Sequence, residues 1–148
     1  MSEALKGKAI LVVDDEKDIL ETVSEILDMC NVIPKTNHQD ALDYLQTNGA
    51  DLALLDIMGG NGFKLLEHAV SKEIPAVMMT AHALSVETLK KSIDMGARAY
   101  LPKEKLSELE PFLEDVLTMG HREKWSQFFK RLREFFTDTF GADWKKDS

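Results

Sequence analysis

Two short stretches of the chain are apolar without interruption, Ala9-Ile10-Leu11-Val12-Val13 and Leu52-Ala53-Leu54-Leu55. Each runs straight into acid, at Asp14 and at Asp56. A strand that is apolar at every position buries both faces, so these two predict the middle of a covered sheet. Between them the period changes. Ile19, Leu20, Val23, Ile26, Leu27 and Cys30 fall at helical spacing and predict an amphipathic helix over Glu16–Cys30. Asn31–Thr36 reads as a weak strand. Asn37 then suits the cap of a helix that carries Ala41, Leu42 and Leu45 on one face and stops near Asn48-Gly49.

The second half repeats the alternation. Gly59-Gly60-Asn61-Gly62 predicts a loop after the strand Asp51–Asp56, and Phe63–Ser71 a helix. Pro75–Thr80 is a third apolar strand, Ser85–Met95 a helix closed by Gly96, and Ala97–Leu101 a short strand that Pro102 breaks. Leu106–Leu117 has an apolar helical face with Pro111 inside it, so that helix starts near Glu110 or kinks there. Five strands alternating with five helices predict an α/β fold. Its sheet is parallel, five-stranded and doubly wound, with ligands at the carboxyl ends of the strands.

Charge narrows the partners. The 148 residues carry a net charge of −8, unevenly spread. Residues 1–119 hold 11 basic and 21 acidic side chains, residues 120–148 hold 7 and 5. An acidic body argues against nonspecific nucleic-acid binding, and the tail is too mixed in sign for a DNA-binding arm. No apolar run is long enough to span a bilayer, and the first residues show no secretory pattern. The single Cys30 can form no internal disulfide and reads as a small apolar filler near a helix end. A cytoplasmic location, with no nucleic acid and no membrane as partner, is the expectation.

The predicted strand ends carry the chemistry. The first delivers Asp14 and Asp15, the third Asp56, the fourth Thr80, and Lys103 follows the fifth. Three carboxylates at one mouth repel unless a cation joins them. Mg²⁺ suits such a set, because it accepts carboxylate oxygens and keeps water or phosphate in its other positions. An ammonium and a hydroxyl beside it can hold phosphate oxygens. An Asp can accept a phosphoryl group as an acyl phosphate.

Val12-Val13-Asp14-Asp15-Glu16, Leu54-Leu55-Asp56-Ile57-Met58, Met79-Thr80-Ala81 and Tyr100-Leu101-Pro102-Lys103 occur in that order, each at a predicted strand end. Together they resemble the response-regulator receiver family of two-component signal transduction over about residues 6–119. The resemblance implies a flavodoxin-like (βα)5 fold and a role for each matched residue. Asp56 would be the phosphoacceptor. Asp15 and Asp56 would bind Mg²⁺, with Asp14 close to the metal through water and the Met58 backbone carbonyl completing the set. Thr80 would move toward the phosphoryl group, the Tyr100 ring would follow it inward, and Lys103 would pair with phosphate. Met58 and His82 would tune the lifetime of the phosphoryl group. A sensor histidine kinase or phosphotransfer protein would supply the phosphate, and a downstream protein would read the change.

Each residue has a plainer reading. Asp14 and Asp15 can cap the first helix, Thr80 can be an ordinary strand residue, and Tyr100 can be core. Two departures from the family pattern stand out. The loop after Asp56 is about two residues shorter than usual and lacks proline. Glu104 stands where proline commonly follows the lysine, which makes a trans bond the default.

The expected division is a receiver over residues 1–119 and a helical extension over 120–148. In the extension, Trp125, Phe128, Phe129, Leu132, Phe135 and Phe136 mark an aromatic helix face. That face packs on the receiver's own surface or forms a contact with a partner or a second copy. No DNA-binding or enzymatic output domain is expected. Two other functions compete with the switch: an aspartyl-nucleophile phosphatase, and a degenerate receiver that serves as a constitutive protein-interaction module.

Overall fold

A computed structural model describes residues 3–56, 62–80 and 86–118. The elements run β1 Ala9–Val13, α1 Lys17–Ile26, β2 Asn31–Lys35, α2 His38–Thr47, β3 Leu52–Asp56 and α3 Gly62–Ser71. They continue with β4 Ala76–Thr80, α4 Val86–Asp94, β5 Ala99–Pro102, a 3₁₀ segment Lys103–Glu108 and α5 Leu109–Thr118. The five strands form one parallel sheet in the order β2-β1-β3-β4-β5. The chain steps outward from β1 to β2, then crosses back to lay β3 on the other side of β1. That reversal opens a crevice at the carboxyl ends of β1 and β3.

Burial follows the apolar pattern. Every residue of β3 is buried, as are Ile10 to Val13 of β1 and Ala76 to Met79 of β4. The edge strands are the ones that hold proline. Pro34 sits in β2 and Pro102 closes β5, where a missing N–H costs the sheet little. Pro102 therefore does not break β5 as its sequence position suggests. It is the last residue of the strand, in register with Thr80.

Two helices differ from their predicted bounds by more than one residue. α1 ends at Ile26, although the apolar spacing continues to Cys30. β2 has to begin at Asn31, whose N–H donates to Lys8 O at 2.8 Å, so the chain turns over Leu27 to Cys30 to reach it. Leu27 stays in the core, and Cys30 Sγ donates to Leu5 O at 3.3 Å. At the other end, Leu106 lies in the 3₁₀ segment and α5 begins at Leu109. Pro111 thus occupies the first turn of α5, where its nitrogen has no intrahelical bond to lose. Asn37 caps α2 as expected, its Oδ1 accepting from Asp40 N at 2.8 Å. No described helix is long and apolar enough to cross a membrane. The aromatic segment 120–148, Met58 and His82 lie outside the described residues.

Candidate functional site

Asp14 and Asp56 reach the crevice because the strands carrying them end there. The β1–β3 register runs to Val13, and Asp14 N–H makes the last rung to β2, donating to Lys35 O at 3.1 Å. Asp56 is the last residue of β3. Both are almost fully buried, at 1% and 3% exposure. Two acids this dry need compensation, and Lys103 supplies it. Leaving β5 at the start of the 3₁₀ segment, its Nζ lies 2.8 Å from Asp14 Oδ2 and 3.5 Å from Asp56 Oδ2. Glu16 Oε1 is also 3.5 Å from that ammonium, on the solvent side.

The lysine side chain is only 13% exposed. Burial alone would push its pKa below the ordinary value of 10.5. The hydrogen bond to Asp14 and the charges of Asp56, Asp14 and Glu16 together outweigh that effect and raise it. Lys103 is therefore charged at neutral pH. The peptide bond from Lys103 to Glu104 is trans.

Asp14 does not cap α1. Its Oδ1 accepts from Glu16 N at 2.9 Å at the entry to α1, while Oδ2 faces Lys103. The N-cap position belongs to Glu16, whose side chain makes no cap bond. Carboxylate oxygens of Asp14, Asp15 and Glu16 lie within 4.8 Å of one another, Asp14 buried and the other two exposed. This is a hard oxygen set with an open side. It fits Mg²⁺, which retains water on the face the protein leaves free.

The remaining sequence candidates fall around this centre. Thr80 ends β4, and β4 neighbours β3 with Asp56 in register with Met79. The Thr80 side chain lies outside the described residues. Tyr100 is buried in β5, opposite Met78, with 1% of its surface exposed.

Two contributors have no role assigned from the sequence, Glu16 although it closes the first motif and His38 outside every motif. Glu16 adds a third acid to the lysine. His38, the first residue of α2, brings Nε2 to 3.0 Å from the backbone oxygen of Asp56. Only topology signals His38. It opens a helix that follows β2, at the same end of the sheet as the acids.

The comparisons agree with this geometry. The family described as "Response regulator receiver domain" matches residues 10–113. The heme response regulator HssR of Staphylococcus saprophyticus is 38% identical over 78 residues, covering 48% of this chain and 34% of that protein. The transcriptional regulatory protein CpxR of Escherichia coli is 34% identical over 99 residues, covering 64% and 42%. The chain thus spans well under half the length of these curated relatives. Among solved structures, the receiver domain of NtrX from Brucella abortus superposes with a TM-score of 0.66 at 31% identity, over 75% of this chain and 99% of that one.

Proposed function

The chain belongs to the response regulator receiver family of two-component systems, and on that premise we propose that Asp56 is its phosphoacceptor and that phosphorylation switches its protein contacts. One observation carries the reading. A buried carboxylate at the end of β3 has the Lys103 ammonium 3.5 Å away, and that ammonium also bonds the buried Asp14.

A histidine kinase or a phosphotransfer protein is the donor. An Asp56 carboxylate oxygen attacks phosphorus as the bond from phosphorus to the donor imidazole nitrogen breaks, and the imidazole leaves with that electron pair. Lys103 receives a phosphoryl oxygen and offsets the charge it brings. The Thr80 hydroxyl donates to another oxygen. Asp15, Asp56 and the Met58 carbonyl would hold Mg²⁺, which would neutralise charge on the carboxylate and the phosphoryl group. Asp14 would stand next to that ion without binding it directly. In support, both of its oxygens already have protein partners, Glu16 N–H and Lys103. Met58 and His82 set how long the phosphoryl group survives.

The pull of phosphate on Lys103 and Thr80 reaches β5 directly, since Lys103 follows that strand and Thr80 is registered against Pro102. Tyr100 lies on the same strand. The face of α4, β5 and α5 is therefore the surface whose partners change. Incubating the chain with acetyl phosphate and Mg²⁺ and weighing it intact tests the reading. The wild type gains one phosphoryl group and Asp56→Asn gains none; an unmodified wild type, or a modified Asp56→Asn, rejects it.

A further inference from the structure

The β1–β3 register ends at Val13 opposite Leu55, one residue short of Asp56. On the other side β3 continues, with Asp56 in register with Met79 of β4. Asp56 thus lies one residue beyond the last registered pair of β1 and β3. At that position His38 places Nε2 3.0 Å from the Asp56 backbone oxygen. A carbonyl only accepts, so the imidazole donates through Nε2–H.

The position of His38 is itself fixed. Its neighbour Asn37 caps α2 through Asp40 N–H at 2.8 Å and returns a bond from Nδ2 to Asp40 Oδ2 at 3.0 Å. The ring therefore stands on a pinned helix terminus. Its bond goes to the backbone carbonyl of Asp56, while the carboxylate Oδ2 lies 3.5 Å from Lys103 Nζ. That carbonyl carbon is bonded to the Cα that carries the Asp56 carboxylate.

We propose that His38 is a positioning residue for phosphoryl transfer, orienting Asp56 through its backbone carbonyl. This rests on Asp56 being the phosphoacceptor. Transfer in line with the breaking bond depends on the approach angle, and a hydrogen bond at the base of the nucleophile is a means of setting it.

The test uses the full chain with acetyl phosphate and Mg²⁺, following the rate of phosphorylation against donor concentration. His38→Phe keeps a ring and removes the donor; its maximal rate falls about tenfold while the half-saturating donor concentration holds within about twofold. His38→Gln restores an N–H of similar reach and recovers the rate to within about twofold. A His38→Phe rate equal to wild type, or a His38→Gln rate no better than His38→Phe, overturns the proposal. A wild type that accepts no phosphoryl group rejects the phosphoacceptor reading instead. NMR of the unmutated protein gives a second route that does not depend on either variant folding. The His38 ring nitrogens must report hydrogen on Nε2, and a ring protonated on Nδ1 alone overturns the proposal.

Discussion

Lys103 Nζ lies 2.8 Å from Asp14 Oδ2, joining the residue after β5 to the residue after β1 across the two strands between them. The pair makes the site a tertiary object, in which a charge from one edge strand neutralises an acid at the sheet's centre. Lys103→Met leaves Asp14 and Asp56 buried without that ammonium and lowers stability by about 3 kcal/mol in chelator-treated buffer. Urea unfolding measures it, and an unchanged midpoint counts against the pair.

The same lysine sets a pH dependence. Its folded pKa is raised above the ordinary value of 10.5, so the folded state holds the proton more tightly than the unfolded chain. The stability this adds is complete below the unfolded pKa and is lost as pH rises through the folded one. In metal-free buffer, the gap in unfolding free energy between wild type and Lys103→Met holds at neutral pH and closes at high alkaline pH. A gap that widened with alkalinity would have the wrong sign.

Cys30 gives a chemical probe away from the site. Burial, then the charges of Glu110 and Asp28, raise its pKa above the ordinary 9.0. Iodoacetamide at mildly alkaline pH labels the native thiol at least about tenfold more slowly than the urea-unfolded one. Equal rates would place the thiol in solvent.

Lys72 caps a helix that lacks a basic residue in its own last turn. Its Nζ donates to Leu45 O and lies 3.5 Å from Asn48 O, at the carboxyl end of α2. Lys72→Met costs about 1 kcal/mol, read from the urea midpoint. No loss would mean that solvent serves those carbonyls equally well.

Gly96 turns the chain against Val70 in the left-handed region. Its φ is +106°, and a Cβ there would meet Val70 Cγ1 at 3.0 Å and Cγ2 at 3.1 Å. Gly96→Ala adds left-handed strain and a clash with a branched side chain, costing about 2 kcal/mol. Calorimetry of the two proteins settles the size.

Apolar periodicity and strand-end acids made most of the fold and the heart of the site readable in the residues. Continuous runs such as Ile10 to Val13 leave one buried strand as the economical solution, and Asn37 announces its helix by local chemistry alone. The differences arise where distant pairing decides. α1 stops early because Asn31 must meet Lys8, and Pro102 stays in β5 because an edge strand tolerates it. Glu16, though inside the first motif, and His38, outside them all, have no role that the sequence alone assigns. Their relevance comes from Lys103 and from the Asp56 carbonyl, partners far away in the chain.

The central claim is that one carboxylate, Asp56, takes the phosphoryl group. Borohydride reduces an acyl phosphate to the alcohol, so reductive trapping after phosphorylation followed by peptide mapping locates the acceptor. The account predicts homoserine at position 56 alone, dependent on Mg²⁺. Homoserine at Asp14 or Asp15, or none at any position of a phosphorylated chain, contradicts it.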